Sequence, residues 1–153
     1  MNTVAKIHQF YLDRIAEALP YHRRLSNPYK PEENPNIILR QGFGVTIGSA
    51  STAKRTNQPM LTINRTFSVV LTREYVARED DGPAKAVVEK NLMLDAAAIA
   101  AEIEANWSMD GLILRSRFTG DTGIEYVTTE TDRFLKTVID FEVEYFAGGD
   151  NDC

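Results

Sequence analysis

The feature that most constrains this fold is a long alternation of apolar and polar side chains between residues 61 and 75. The apolar members are Leu61, Ile63, Phe67, Val69, Leu71 and Tyr75, and the polar members are Thr62, Asn64, Thr66, Ser68, Thr72 and Glu74. A period of two is typical of a β-strand that buries one face. Residues 135–145 repeat the pattern. The chain is therefore expected to build a sheet with one apolar face that other elements cover.

Two helices are predicted to supply that cover, an amphipathic one over residues 3–19 and a second over residues 84–106. The first segment stops before Pro20, and the second contains no Gly or Pro. Their apolar positions are Val4, Ile7, Tyr11, Ile15 and Ala18, and then Val88, Leu92, Ala96, Ile99 and Ile103. Spacings of three and four residues bring such positions to one side of a helix.

The remaining segments carry weaker patterns. Alternation over residues 37–48 and 112–118 predicts two further strands, and four prolines within residues 20–35 predict a connecting loop. Residues 49–59 are small, polar and weakly basic, which predicts a mobile loop. Residues 147–153 are expected to form a flexible acidic tail.

These elements predict one domain over residues 1–153 in the α+β class, with a mainly antiparallel four-stranded sheet and two helices packed on one face. Residues 120–133 mix turn residues with a short apolar patch and predict no single element.

Charge and cysteine content narrow the classes of function. The formal net charge of −5 opposes the attraction to phosphates that drives most nucleic-acid binding. Cys153 is the single cysteine, so no internal disulfide and no zinc site of the usual Cys/His type is expected. No secretory signal and no apolar run long enough to cross a bilayer is visible, which predicts a cytoplasmic protein or a component of a particle assembled in the cytoplasm.

No pattern of catalytic residues stands out. His8 and His22 lack metal-ligand spacing and are expected at the surface or its boundary. The glycines of residues 42–48 miss the spacing of a nucleotide-binding loop and are better explained by strand bulges or close backbone approach. Asp140, Glu142 and Glu144 are two residues apart, which places them on one solvent-facing strand surface. The sequence thus predicts no catalytic, cofactor-binding or metal-binding residue, and a protein that is not an enzyme.

Three segments taken together resemble the tail terminator, or tail completion, proteins of long-tailed phages. They are a strand RTFSVVLTREYVA, a helix KAVVEKNLMLDAAAIAAEI and a final strand DRFLKTVIDFEVEYF. The resemblance covers residues 60–146 and rests on the order and style of these elements.

The resemblance implies a structural subunit that forms a ring, usually a hexamer, on the last ring of the tail tube and stops tube polymerisation. Its partners would be copies of itself, the tail tube protein, and the head connector or a neck protein. DNA would pass as cargo without specific binding. The implied location is the head-proximal end of the virion tail, and residues 49–59 and the acidic tail become expected contact segments.

Candidate interface residues follow from charge and from strand faces. Arg23 and Arg24 form one basic cluster with His22, and Lys54 and Arg55 form another. Each cluster is either a solvated loop or a contact with an acidic partner surface. Four apolar residues on otherwise polar strand faces are expected either to be scattered exposed residues or to belong to ring contacts. These are Val70, Ile113, Val138 and Phe146.

Two other functions stay open at this point. One is another ring protein of the phage neck, such as a head completion or connector-associated protein. The other is a small ligand-binding module or enzyme with a cleft between sheet and helices.

Overall fold

A computed structural model describes residues 3–52, 62–74, 82–109, 111–129 and 133–146. Within these ranges the helices are α1 (Thr3–Ala18), α2 (Asn36–Leu39) and α3 (Gly82–Ala105), with a 3-10 turn at Pro31–Glu33. The strands are β1 (Arg23–Arg24), β2 (Gln41–Thr52), β3 (Thr62–Glu74), β4 (Arg115–Asp121), β5 (Glu125–Thr128) and β6 (Arg133–Phe146).

The strands form one six-stranded sheet in the order β1-β2-β3-β6-β4, with β5 also paired to β6. β1 runs parallel to β2, and the other pairs are antiparallel. β3 and β6 are the central strands and pair from Thr62 with Phe146 to Glu74 with Phe134. These are the two segments with the clearest alternation, because a central strand with one face buried requires strict period two.

The predicted four-stranded sheet with two helices is wrong, since the described chain has a mixed six-stranded sheet and three helices. β1 has two residues and β5 has four, so neither leaves a readable alternation. Residues 37–39, predicted as strand, belong to α2, and β2 extends to residue 52. The rest of the predicted mobile loop and the predicted tail lie outside the described residues.

α1 and α3 pack on one face of the sheet, which we call the helix face. Tyr11 of α1 stacks on Phe67 of β3 with ring centroids 5.5 Å apart. Ile99 of α3 is fully buried in the same core. The sheet contributes Phe43, Val45, Phe67, Val69, Leu71, Leu135, Ile139, Phe141, Val143 and Tyr145. Two helices therefore cover one face of the sheet, although the predicted strand count was wrong.

The opposite face, called here the outer face, is partly covered by residues 25–39. Leu25 and Leu39 pack there against Val70 and Phe134 in a second apolar cluster. Val70 was predicted to be exposed on a polar strand face, but it is 3% exposed because this segment folds over it. Ile113 is likewise buried, in the main core.

Two buried glycines of β2 make this close packing possible. A Cβ on Gly42 would lie 2.5 Å from Thr72 Oγ1, and a Cβ on Gly44 would lie 2.5 Å from Pro28 Cβ. Any larger side chain would collide with the segment that crosses the outer face. Close approach, one of the two explanations that the sequence left open, therefore accounts for Gly42 and Gly44.

Candidate interaction surfaces

A largely buried ion cluster joins β3, α3 and the loop residue before β1, beside the helix face. Arg73 of β3 donates to both carboxylate oxygens of Asp95 on α3, at 2.7 and 3.1 Å, and His22 Nε2 lies 3.1 Å from Asp95 Oδ2. The His22 side chain is 4% exposed and that of Asp95 is 9% exposed, so His22 is more enclosed than a surface residue. Both carboxylate oxygens are engaged by cationic donors, which suits a structural clamp.

The pKa of Asp95 reflects two opposed effects. Burial by itself would raise the pKa, but the hydrogen bonds from His22 and Arg73, with their charges, hold it below the ordinary value for aspartate. Asp95 is therefore ionised at neutral pH. Among the described residues, no group of three or more His, Cys, Asp or Glu side chains is placed to hold a metal ion.

The carboxylates Asp140, Glu142 and Glu144 occupy every second position of β6, so all three lie on the outer face. Ser68 donates to Asp140 at 2.6 Å, and Arg117 of β4 pairs with Glu142 at 3.7 Å. Each is half-buried and has polar neighbours on adjacent strands. The spacing correctly predicted one shared strand face, on which Asp140 and Glu142 have polar partners.

A cleft of about 580 Å³ lies along the edge of β2 that faces away from β3, and we call it the edge cleft. One wall is α1 and the other is the segment 24–29, while β2 forms the floor. The lining residues are His8, Leu12, Arg24, Leu25, Ser26, Pro28, Tyr29, Gly44, Val45 and Ile47. Its volume falls in the range of roughly 300–1,000 Å³ that is typical of ligand sites.

Two side chains bond to the strand edge inside this cleft. His8 Nε2 lies 3.0 Å from the carbonyl oxygen of Val45, and because a carbonyl only accepts, this nitrogen carries the proton. The main-chain N–H of Ile47 donates to the Tyr29 hydroxyl at 3.1 Å. The sequence analysis missed both roles, because they depend on which strand forms the edge of the sheet.

An apolar surface covers the solvent side of α3. Seven of the nine exposed side chains at positions 86–105 are Ala, Val or Leu. Val87 is 58% exposed and Leu94 is 56% exposed. Beside them a groove of about 260 Å³ runs between α3 and β4, lined by Met93, Ala96, Ala97, Ala100, Phe118, Asp121 and Ile139. Val87, Leu94, Ala97, Ala100 and Phe118 are named here the α3 surface.

A second group of exposed apolar side chains lies in the segment that crosses the outer face. Tyr29 is 66% exposed and Ile37 is 50% exposed. The sheet separates this group, which we call the outer group, from the α3 surface. Exposed apolar side chains therefore occur on both sides of the sheet.

The predicted interface residues are scattered. Arg23 and Arg24 are both exposed on β1, and Arg24 lines the edge cleft. Phe146 ends β6 half-buried beside Thr62. Val70 is buried, and Val138 packs against the second cluster. Lys54 and Arg55 lie outside the described residues.

The described residues define an α+β protein with a mixed sheet, two long helices on one face, a short helix on the other, and exposed apolar side chains on both sides. None of its described helices has the length and apolar character needed to span a membrane. No protein-family model matches the chain, and no curated protein matches it.

Among solved structures, the chain is similar to one described as the virion of a native gene transfer agent particle. The identity is 12%, the alignment covers 87% of this chain and 84% of that chain, and the TM-score is 0.35. The likeness is to a virion component in general and singles out no tail protein. A TM-score this low does not establish a shared fold, so no residue role is carried over.

Proposed function

We propose that the protein is a structural virion subunit that closes into a ring on the end of a phage tail tube, ends tube polymerisation and forms the head-tail joint. The observation that carries this proposal is the pair of distinct apolar surfaces, the α3 surface and the outer group, on opposite sides of one sheet. The resemblance noted in the sequence supplies the tail position and the hexameric ring.

Ring closure requires two different patches on each subunit, because a head-to-tail contact joins one patch of a copy to the other patch of the next. A helix that is apolar nearly all round is typical of a helix that becomes buried. α3 carries apolar residues on both sides, since its core side contains Leu92, Ile99 and Ile103 and its solvent side carries Val87 and Leu94. Burial against a neighbouring copy would remove the apolar solvent side of α3 from water, as the core already does for its other side.

The function proposed here depends on complementary surfaces and involves no bond chemistry. A net charge of −5 suits a ring through which DNA passes, because like charges limit adhesion to the phosphate backbone. The tail tube protein would contact one side of the ring and the connector or a neck protein the other.

The test is Leu94→Glu, with Ala16→Glu as a matched control at an exposed position of α1 outside both surfaces. A carboxylate at the centre of an apolar interface is expected to weaken association at least tenfold, which corresponds to roughly 1.4 kcal/mol or more. Light scattering across protein concentrations, with and without uncapped tail tubes, measures the assembly. Electron microscopy of the tube ends shows whether caps form.

The expected result is rings or single-end caps with the wild type and Ala16→Glu, and loss of both with Leu94→Glu. Wild-type protein that stays monomeric with tubes present would contradict the proposal. Binding to isolated connectors but not to tubes would assign it to the connector side of the neck.

A further inference from the structure

We infer that the edge cleft binds an extended, acidic peptide segment of a partner protein by adding it as a strand to β2. This inference does not rest on ring formation. It follows from the backbone groups on the floor of the cleft, the construction of its walls and the charge of its lining.

Within the described residues, the edge of β2 that faces away from β3 pairs with another strand only at its beginning. β1 aligns with Gly42 and Phe43, and the N–H of Leu25 donates to the carbonyl of Phe43 at 2.7 Å. The next groups that point to this edge belong to Val45 and Ile47, and they are bonded by the side chains of His8 and Tyr29. An unpaired strand edge is a template for another extended chain.

The side chains that bond the edge can give way to a peptide. Tyr29 is 66% exposed, so few contacts besides its hydroxyl bond hold it in place. A peptide carbonyl would replace the Tyr29 hydroxyl as acceptor for the Ile47 N–H. A peptide N–H would replace His8 as donor to the Val45 carbonyl. The backbone of β2 would then keep every hydrogen bond that it has now.

The available edge is short, which defines the length of the occupant. The register of β2 shifts between Ile47 and Ala50, so regular pairing along the cleft runs from residue 44 to residue 47. The walls of the cleft also restrict which peptide side chains fit. Leu12 and Leu25 face the cleft from opposite sides and suit alternate apolar side chains of a strand of about four residues.

The charge of the lining selects an acidic segment. His8 and Arg24 line the cleft, and none of the described lining residues is a carboxylate. Arg24 is exposed and forms no salt bridge with the described part of the chain. Since complementary charge fixes the register of a docked chain, an Asp or Glu side chain is expected opposite Arg24.

The first experiment is selection of binders from a random heptapeptide library displayed on ribosomes, using the purified full chain. The expected result is enrichment of sequences with alternating apolar side chains and at least one Asp or Glu. The selected peptides are then synthesised in two forms, unmodified and N-methylated along the backbone. N-methylation removes the N–H that would bond to Val45, and it is expected to weaken binding at least tenfold.

Matched variants on β1 test the site itself. Arg24→Glu is expected to weaken binding of the selected peptides at least tenfold and to restore it for peptides in which Lys replaces the acidic residue. Arg23→Glu, at the neighbouring exposed position outside the cleft lining, is expected to change binding less than threefold. Hydrogen exchange of the Val45 and Ile47 amides should slow when peptide binds, because β2 is then paired with β3 on one edge and with the peptide on the other.

Tyr29→Phe provides an independent measurement, since it removes only the hydroxyl that competes for the Ile47 N–H. Peptide affinity is expected to rise about threefold. The inference is overturned if the library yields no binders. It is equally overturned if the binders are insensitive to Arg24→Glu and to N-methylation. Neither failure changes the expected tube capping by the wild type or its expected loss with Leu94→Glu, so the two proposals fail separately.

Discussion

At the scale of single residues, Gly42 and Gly44 allow a segment of the chain to lie directly on β2. Pro28 and Leu25 occupy the space where their side chains would be. Protein interiors are close-packed, so an added methyl group forces a backbone shift or an unfavourable rotamer.

Gly44→Ala is therefore expected to destabilise the fold by about 1–3 kcal/mol, despite the entropy that Ala removes from the unfolded chain. Urea denaturation measures the free energy of unfolding. Ser49→Ala, at an exposed position of the same strand, is the control and should stay within about 0.5 kcal/mol. Equal stability of Gly44→Ala and wild type would show that Pro28 moves aside freely.

The second feature at this scale is Asp95, held by His22 and Arg73. Its pKa is lower in the folded state than in the unfolded state, where it is about 3.9. A group of this kind stabilises the fold above the unfolded-state pKa, and the stabilisation disappears as pH falls through the folded-state pKa.

We expect Asp95→Asn to lower stability at pH 7 by about 3 kcal/mol, because it leaves Arg73 partly buried without its counter-charge. The difference in unfolding free energy between wild type and variant should shrink from about pH 4 downward. Urea denaturation of both proteins from pH 7 to pH 3 gives this difference, in which the titration of the other carboxylates cancels. A pH-independent difference would contradict the ionic role.

At the scale of elements, α2 is a helix that tertiary packing stabilises although its own sequence does not favour one. Four residues are too few for a stable isolated helix. Leu39, at its end, is 1% exposed and fills the second cluster with Leu25, Val70 and Phe134, whereas Ile37 is 50% exposed. Tertiary contacts therefore hold this helix on the outer face.

The two apolar residues of α2 give a matched pair of variants. Leu39→Ala should cost about 2–5 kcal/mol, because it opens a cavity in the second cluster. Ile37→Ala should change stability by no more than about 0.5 kcal/mol. Thermal and urea denaturation measure both. Equal effects of the two substitutions would mean that the second cluster adds little to stability.

Across the elements, those that could be predicted are long and periodic. α1, α3, β3 and β6 each present one apolar side to the same core, so their patterns survive in the sequence. Residues 37–39 were assigned to a strand because they continue the alternation of residues 37–48. Their helix depends instead on the packing of Leu39 against residues distant in the sequence.

At the scale of the whole molecule, the sheet is covered unequally on its two faces. The helix face is closed by α1 and α3, while on the outer face the segment 25–39 covers one part and leaves the stripe of Asp140 to Glu144 half-exposed. On the solvent side of the helix layer, Val87 and Leu94 of the α3 surface are exposed among the described residues. The Leu94→Glu experiment belongs at this scale, because it asks whether a second copy completes the fold.

By itself the sequence determined the α+β class, the two long helices, the central strands and their buried faces. These depend on periodicity within single segments, which is a local property. Only the tertiary structure decided that Val70 is buried and that His22 and Arg73 bond to Asp95. It also decided that the edge of β2 is bonded by the side chains of His8 and Tyr29. Each of these depends on residues distant in sequence, and no local period records which distant segments come together.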